Sequence, residues 1–291
     1  VTAEFSTQLK PTVVGTTNIL GLIEGSDPVL KNEVIVIGAH YDHVGYGTYG
    51  SLYSGTEQLI HYGADDNASG TAGVIEIAKK MSENKKDMKR SVLFMLFGGE
   101  EAGLLGSSYF VKSPHFKNFN IIAMLNMDMI GRLREKLEIY GTGTSSQWEN
   151  LLTSTNSKYN FDFKFVPDGF GPSDHSNFYA KQIPVLHFFT GTHEDYHRPS
   201  DTWEKVNYAG QTKVVNLVYD VAMNLVNANN KIDYTAVVKK EENTNMNSGP
   251  MKVTVGTIPD YSFTGEGVKV TGVRAGTPGE KGGLLAGDVI V

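Results

Sequence analysis

The chain contains no cysteine, and this one absence removes disulfide staples, thiolate nucleophiles and thiolate metal ligands together. Any metal must therefore be held by His, Asp and Glu, and cysteine usage does not choose between an oxidising and a reducing compartment. No apolar run approaches the length of a transmembrane helix, and no signal-like segment opens the sequence. The start at Val1, without an initiator Met, is what a fragment of a longer precursor would show. Positive charge is also scarce: 26 basic against 32 acidic residues give a net charge of −6, with no block of Lys or Arg able to track a phosphate backbone. Nucleic-acid binding therefore has no electrostatic footprint. The composition is that of an ordinary globular chain: 291 residues with 40% hydrophobic and 20% charged suffice for one large domain and a small one.

The sequence is rich in apolar runs that stop at chemistry-bearing residues. NILGLIE (18–24) reads as a strand, a GSDP turn follows, and EVIVIGAH (33–40) reads as a second strand ending at His40; the two are expected to form a hairpin. Residues 41–63, dense in Gly and Tyr, read as a long loop of the kind that lines a site. Asp65, Asp66, Asn67 and Ser69 supply helix-start chemistry for an amphipathic helix carrying Val74, Ile75, Ile77, Ala78 and Met81. SVLFMLF (91–97) is a strand buried on both faces, stopped by Gly98-Gly99-Glu100-Glu101 before another helix. IIAMLNMD (121–128) and PVLHFF (184–189) are further strands, and residues 211–228 have helical spacing. Alternating apolar strands and amphipathic helices imply an α/β three-layer sandwich with a mixed, mostly parallel central sheet. Ligands in such sheets sit outside the carboxyl ends of the strands.

The acidic and histidine residues gather at those ends. His40 ends one strand, Glu100 and Glu101 follow the next, Asp128 ends a third, His197 lies beyond the fourth, and Asp66 opens a helix. Singly, each is explained by strand-end hydrogen bonding, a helix cap or a solvated first turn; six at one edge of one sheet call for a common cause. Zinc accepts imidazole nitrogen and carboxylate oxygen, and two dications sharing a carboxylate can divide the activation of water and the polarisation of a carbonyl. Five ligands for two ions leave positions open for water and substrate. Of the adjacent glutamates, one can bind metal while the other reaches the attacking water as a base.

The motifs GAHYDH (38–43), GADDNASG (63–70), FGGEEAGLLGS (97–107), NMDMIG (126–131) and YHRPSDT (196–202) make the chain resemble the M28 metallopeptidases, a group of co-catalytic dizinc aminopeptidases and their relatives. Their order and spacing are specific, and they span residues 18–230. The resemblance implies a zinc exopeptidase fold in which His40 and Asp128 bind one zinc, Glu101 and His197 the other, and Asp66 bridges, with manganese or cobalt as substitute ions. It implies Glu100 as general base, Asp42 as support for the His40 imidazole, Tyr196 as a donor to the oxyanion and Asp201 as a residue orienting His197. The substrate-contacting position before the SDH turn is held by Gly171 and Pro172, so no side-chain clamp carries over. From residue 251 the tail, notably GVRAGTPGEKGGLLAGDVIV, resembles the start of a PDZ domain, which when complete would bind peptide or protein termini.

HEDYH (193–197) spells the HExxH signature of single-zinc proteases, but that signature works only on a helix, where both histidines share a face. Here it follows a strand and a TGT turn and precedes Pro199, so a loop is expected and the helix-borne single-zinc reading is set aside. His43, His61, His175 and His187 read as hydrogen-bonded or core histidines, with His175 near the pocket, and Trp203 as a packing aromatic. The expected organisation is a peptidase domain at 1–232, a linker at 233–250 and a partial PDZ-like, β-rich unit at 251–291. Peptides are the expected substrates, and an aminopeptidase is the leading reading, the free amine being held by acidic groups such as Glu100 and Asp128. A carboxypeptidase, a glutaminyl cyclase-like enzyme on the same fold, and a metal-free receptor homologue are the alternatives; the last predicts broken ligand positions, and none is broken. By resemblance, the location is extracytoplasmic: periplasmic, secreted or surface-anchored.

Overall fold

A computed structural model describes residues 15–237, 255–259, 266–274 and 276–291. The most apolar run becomes β2 (Glu33–His40), buried at every position but its first, and such a strand needs a neighbour on both edges. It has them: β3 (Ser91–Phe97) and β4 (Asn120–Met127) both run parallel to it. Alternate side chains point to opposite faces, so Ile35 and Ile37 enter one apolar cluster while Val34 and Val36 enter the other.

The expected hairpin does not form. β1 (Ile19–Ile23) pairs antiparallel with β3, Ile19 opposite Leu96 and Ile23 opposite Val92. The reason is burial: both edges of β2 are taken, whereas β1 is largely exposed and suits a sheet edge. The chain reaches β2 by passing tightly over the turn before β3, where a Cβ on Gly25 would lie 2.3 Å from the Lys89 carbonyl oxygen.

Beyond β4 the sheet continues through β7 (Val185–Phe189), parallel to β4, then β5 (Lys136–Tyr140), antiparallel to β7, and β6 (Asp162–Val166), parallel to β5. The order is β1-β3-β2-β4-β7-β5-β6, a mixed, mostly parallel sheet. One face is covered by α1 (Ala68–Glu83), α3 (Trp148–Asn156) and α5 (Tyr208–Asn227), whose Ile77, Met81, Trp148, Leu217 and Val221 pack on Ile35, Leu125 and Phe188. The other is covered by α2 (Leu105–Lys112) and α4 (His175–Tyr179), with Phe110 and Phe178 packed on Val36, Met95 and Phe97. Asn67 caps α1 and Asn207 caps α5, each side chain accepting from a glycine N–H three residues on. Two strands and two α-helices between Lys136 and Tyr179 (β5, α3, β6 and α4) are additions to those expected from the apolar runs.

The chain stays attached to this body past residue 232. Asp233 accepts from the Ser146 N–H at 3.2 Å, the Thr235 N–H reaches the Thr144 carbonyl at 2.8 Å, and the Val237 N–H reaches the Tyr179 hydroxyl at 2.8 Å. Residues 233–237 thus belong to the body and not to a linker. The rest of the expected linker, 238–250, lies outside the described residues, as do residues 251–254 at the start of the expected β-rich tail. In the tail, β8 (Thr257–Pro259), β9 (Val268–Val273) and β10 (Val289–Ile290) form an antiparallel sheet ordered β10-β9-β8, with a short α6 (Pro278–Lys281). Among the described residues no helix is long and apolar enough to cross a membrane.

Candidate active site

The carboxyl ends of β2, β3 and β4 lie side by side, His40 opposite Phe97 and Gly38 opposite Asn126. One turn further, Gly99, with φ at +75°, lets the chain reverse after β3 and aim Glu100 and Glu101 over the sheet edge. Asp128 follows β4, Asp66 precedes α1 through a cis bond to Asn67, and His197 sits in a turn after β7 with a left-handed φ of 53°, a conformation that costs energy and recurs at functional sites.

All six residues meet. His40 Nε2 is 3.3 Å from Asp66 Oδ1 and 3.2 Å from Asp128 Oδ1; His197 Nε2 is 3.2 Å from Asp66 Oδ2 and 2.9 Å from Glu101 Oε2. One carboxylate, Asp66, thus faces two separate donor sets with its two oxygens. Glu100 Oε2 stands further off, 3.8 Å from His40 Nε2. The far nitrogen of each imidazole meets a backbone carbonyl: His40 Nδ1 lies 3.1 Å from the oxygen of Asp42, and His197 Nδ1 lies 2.7 Å from that of Gly50. Because a carbonyl only accepts, both Nδ1 atoms carry hydrogen, and each neutral ring would turn the lone pair of Nε2 toward carboxylate oxygens. Only positive charge between them, protons or cations, makes that arrangement favourable.

The buried His197 Nε2 and Asp66 Oδ2, although 3.2 Å apart, make no hydrogen bond. Ligands of a tetrahedral zinc, with bonds of about 2.0–2.2 Å, are spaced about 3.3–3.5 Å apart, close to the separations of His40, Asp66, Asp128 and His197. The donor set therefore fits two divalent ions. In their absence the histidines hold protons: burial would depress His197, but the carboxylates of Asp66 and Glu101 raise it to about 10. His40, whose burial also opposes its charge, is raised well above its ordinary value by Asp128 and Glu100. Burial pushes Glu100 well up from the carboxylate range despite the nearby His40.

Asp42 supports His40 through its main-chain carbonyl, while its carboxylate is 3.8 Å from the ring and accepts the Glu100 and Glu101 N–H groups at 3.1 and 3.3 Å. It pins the glutamate turn to the loop after β2. Asp201 does not orient His197, contrary to the sequence expectation. Fully buried, it accepts the N–H groups of Asp65 and Asp66 on one oxygen, at 2.9 and 3.1 Å, and the Arg132 guanidinium on the other at 2.9 Å. Its role is thus to hold the backbone of Asp66. Tyr196 stacks on His197 with ring centroids 3.9 Å apart. Burial, followed by Asp66 and Glu101, raises its hydroxyl above the usual tyrosine range, so it stays a donor.

HEDYH lies in turns, not on a helix. His193 pairs with Asp65 at 3.1 Å while His197 points into the site, and Glu194 is exposed. His61 is a loop residue bonded to Ser51 and Leu59. His175 and His187 stack with centroids 4.4 Å apart beneath the site, and burial depresses both, His187 to about 4. Trp203 is exposed. His43 is hydrogen-bonded, as expected, but its partner is inside the cluster: its Nδ1 lies 2.7 Å from Glu101 Oε1.

A cavity of about 100 Å³ opens beside these groups, with Met129, Tyr140, Pro172, His187, Phe189 and Thr192 as its mainly apolar wall. A larger hollow of about 560 Å³ between α1 and α5 lacks any convergence of metal-ligating side chains, so chemistry and not volume locates the site.

Residues 18–222 match the sequence description "Peptidase family M28". Among known proteins, Aminopeptidase YwaD of Bacillus subtilis (strain 168) is 30% identical over 202 residues, covering 65% of this chain and 40% of the relative. The aminopeptidase from Aneurinibacillus sp. strain AM-1 superposes with a TM-score of 0.59 at 25% identity, covering 75% of this chain and 48% of that one. BSAP, a zinc aminopeptidase from Bacillus subtilis, does so with a TM-score of 0.57 at 27% identity, covering 70% and 49%. The chain thus spans less than half the length of each.

Proposed function

The chain belongs to peptidase family M28, and from that premise we propose that it is a zinc-dependent aminopeptidase releasing N-terminal residues from peptides. The observation that carries the proposal is Asp66, whose two oxygens face His40 and His197 at 3.3 and 3.2 Å, the disposition of a carboxylate shared by two ions. His40 and Asp128 would hold one zinc, Glu101 and His197 the other. Bound there, the ions would polarise the scissile carbonyl and acidify a water.

The protein's own groups do the rest. Glu100 takes the proton of the attacking water and returns it to the leaving amine. The Tyr196 hydroxyl donates to the carbonyl oxygen as negative charge builds on it. The Asp128 and Glu100 carboxylates attract the free α-amine, and the apolar wall of the small cavity receives the N-terminal side chain, which limits cleavage to chain ends. We further propose that residues 251–291 form a partial PDZ-like unit for peptide or protein termini, supported by the antiparallel β8–β10 sheet, and that the protein works outside the cytoplasm.

The test is metal content together with hydrolysis of aminoacyl amides and their N-acetylated counterparts. About two zinc ions per chain, chelator-sensitive cleavage of the free-amine substrates and none of the blocked ones are expected. Glu100→Gln should keep both ions and lose roughly 10²–10⁴ in kcat; Glu101→Gln should lose metal. Less than one zinc per chain with no chelator-sensitive hydrolysis would overturn the proposal, and a fully active Glu100→Gln would overturn the base.

A further inference from the structure

We infer that His43 is a positioning residue that fixes the Glu101 carboxylate by donating its Nδ1–H to Oε1, leaving Oε2 for a metal ion; the inference rests on the proposed dimetal reading. The distances separate this role from that of a ligand. Atoms that would share an ion are 3.2–3.3 Å apart at three of the four close contacts, near the roughly 3.3 Å edge of a zinc tetrahedron. His43 Nδ1 and Glu101 Oε1 are 2.7 Å apart, the length of a charge-assisted hydrogen bond. A carboxylate only accepts, so Nδ1 carries the hydrogen and has no lone pair for a metal.

The ring is held for this single bond. Its other nitrogen, Nε2, is buried and makes no hydrogen bond. The second carboxylate in reach, Asp66, is too far at 3.9 Å. Gly63 provides the seat: its φ is +60°, and a Cβ there would lie 2.7 Å from the His43 Cγ and 2.4 Å from the Asp66 carbonyl oxygen. On the open side the ring meets the His197 ring edge to face, with centroids 5.6 Å apart. His43 thus touches two of the three groups that would hold the second ion. The bond commits Oε1, so Glu101 offers one oxygen toward His197, 2.9 Å away, instead of rotating between binding modes. Partners of this kind change metal affinity by roughly 10–100-fold when removed.

The test compares His43→Ala, His43→Asn and His43→Gln with the wild type, each loaded with zinc and dialysed against graded chelator, with bound zinc counted by elemental analysis. Far-UV circular dichroism and a melting curve accompany each protein. The asparagine amide nitrogen stands near the place of Nδ1, whereas that of glutamine reaches toward Nε2. His43→Ala and His43→Gln are expected to release one of two ions at roughly 10–100-fold lower chelator, with the second ion retained, and His43→Asn to recover most of the loss. The cobalt-substituted His43→Asn protein should keep the visible spectrum of the wild type, because no nitrogen ligand is lost. Equal zinc retention in all four proteins would overturn the inference, leaving His43 a packing residue. So would an asparagine variant as defective as alanine with a changed cobalt spectrum, which would make His43 a ligand. A wild type without zinc would overturn the functional reading together with it.

Discussion

Asp201 offers the sharpest test of how the site is held together, because it lies behind Asp66 and touches none of the other groups that would bind metal. Both backbone donors, the Asp65 and Asp66 N–H groups, reach the same oxygen, Oδ2, while Oδ1 receives Arg132. Asp201→Ala leaves two buried N–H groups without a partner, each costing roughly 1–3 kcal/mol. Arg132 is not stranded, since its other terminal nitrogen lies 3.3 Å from Asp195, so the larger penalty of an orphaned buried charge does not apply in full. The expected loss is about 4 kcal/mol, which for a domain of this size lowers Tm by roughly 10 °C.

Asp201→Asn separates the two functions. One amide oxygen suffices for both backbone donors, but the amide nitrogen must then face the Arg132 guanidinium, donor against donor. About half of the alanine effect is expected, and adding Arg132→Met should recover part of it, a coupling that independent sites would not show. The assay is thermal melting of chelator-treated and zinc-loaded protein, with zinc affinity measured in parallel; loss of the Asp66 anchor should weaken zinc by roughly 10–100-fold. An Asp201→Ala protein that melts within a degree or two of the wild type and binds zinc as tightly would refute this account of the shared carboxylate.

Three further outcomes are expected. Tyr196→Phe should lower kcat by roughly 10²–10³ with little change in KM, as the loss of an oxyanion donor does, measured by steady-state hydrolysis of a free-amine substrate. Glu194→Gln should leave activity and zinc content unchanged, because Glu194 is exposed; a loss like that of Glu100→Gln would restore the HExxH reading. Metal-free protein should lose stability as pH rises from about 6.5 toward 10, because His197 is raised from 6.5 to about 10 by its carboxylates despite its burial. A group with a raised folded-state pKa stabilises fully below its unfolded value and loses that contribution through the folded one. Zinc replaces the imidazolium charge, so loaded protein should be flat over that window; parallel melting curves for the two forms would contradict this.

What was legible in the sequence follows from what each feature depends on. β2, β3 and β4 are buried on both faces, so their apolar runs read directly, and the points where they stop mark His40 at the end of β2, the glutamate pair after β3 and Asp128 after β4. β5 and β6 lie toward the sheet edge, with partly exposed and alternating side chains, and leave no continuous run to find. Nearness in sequence favours a hairpin of β1 with β2, but β1 pairs with β3 because both edges of β2 are already taken. Residue roles show the same division. HEDYH was separable from a true HExxH because helix formation is a local property that TGT and Pro199 oppose. The partners of Asp201 and His43 are contacts across the chain, |i−j| of 135 for Asp201 with Asp66 and 58 for His43 with Glu101, and no local pattern encodes them. The one signal available for His43 was its place three residues after His40 in GAHYDH: the strand that delivers His40 to the sheet edge has ended, and the loop carries the second histidine across to Glu101, on the far side of the carboxylate that both donor sets share.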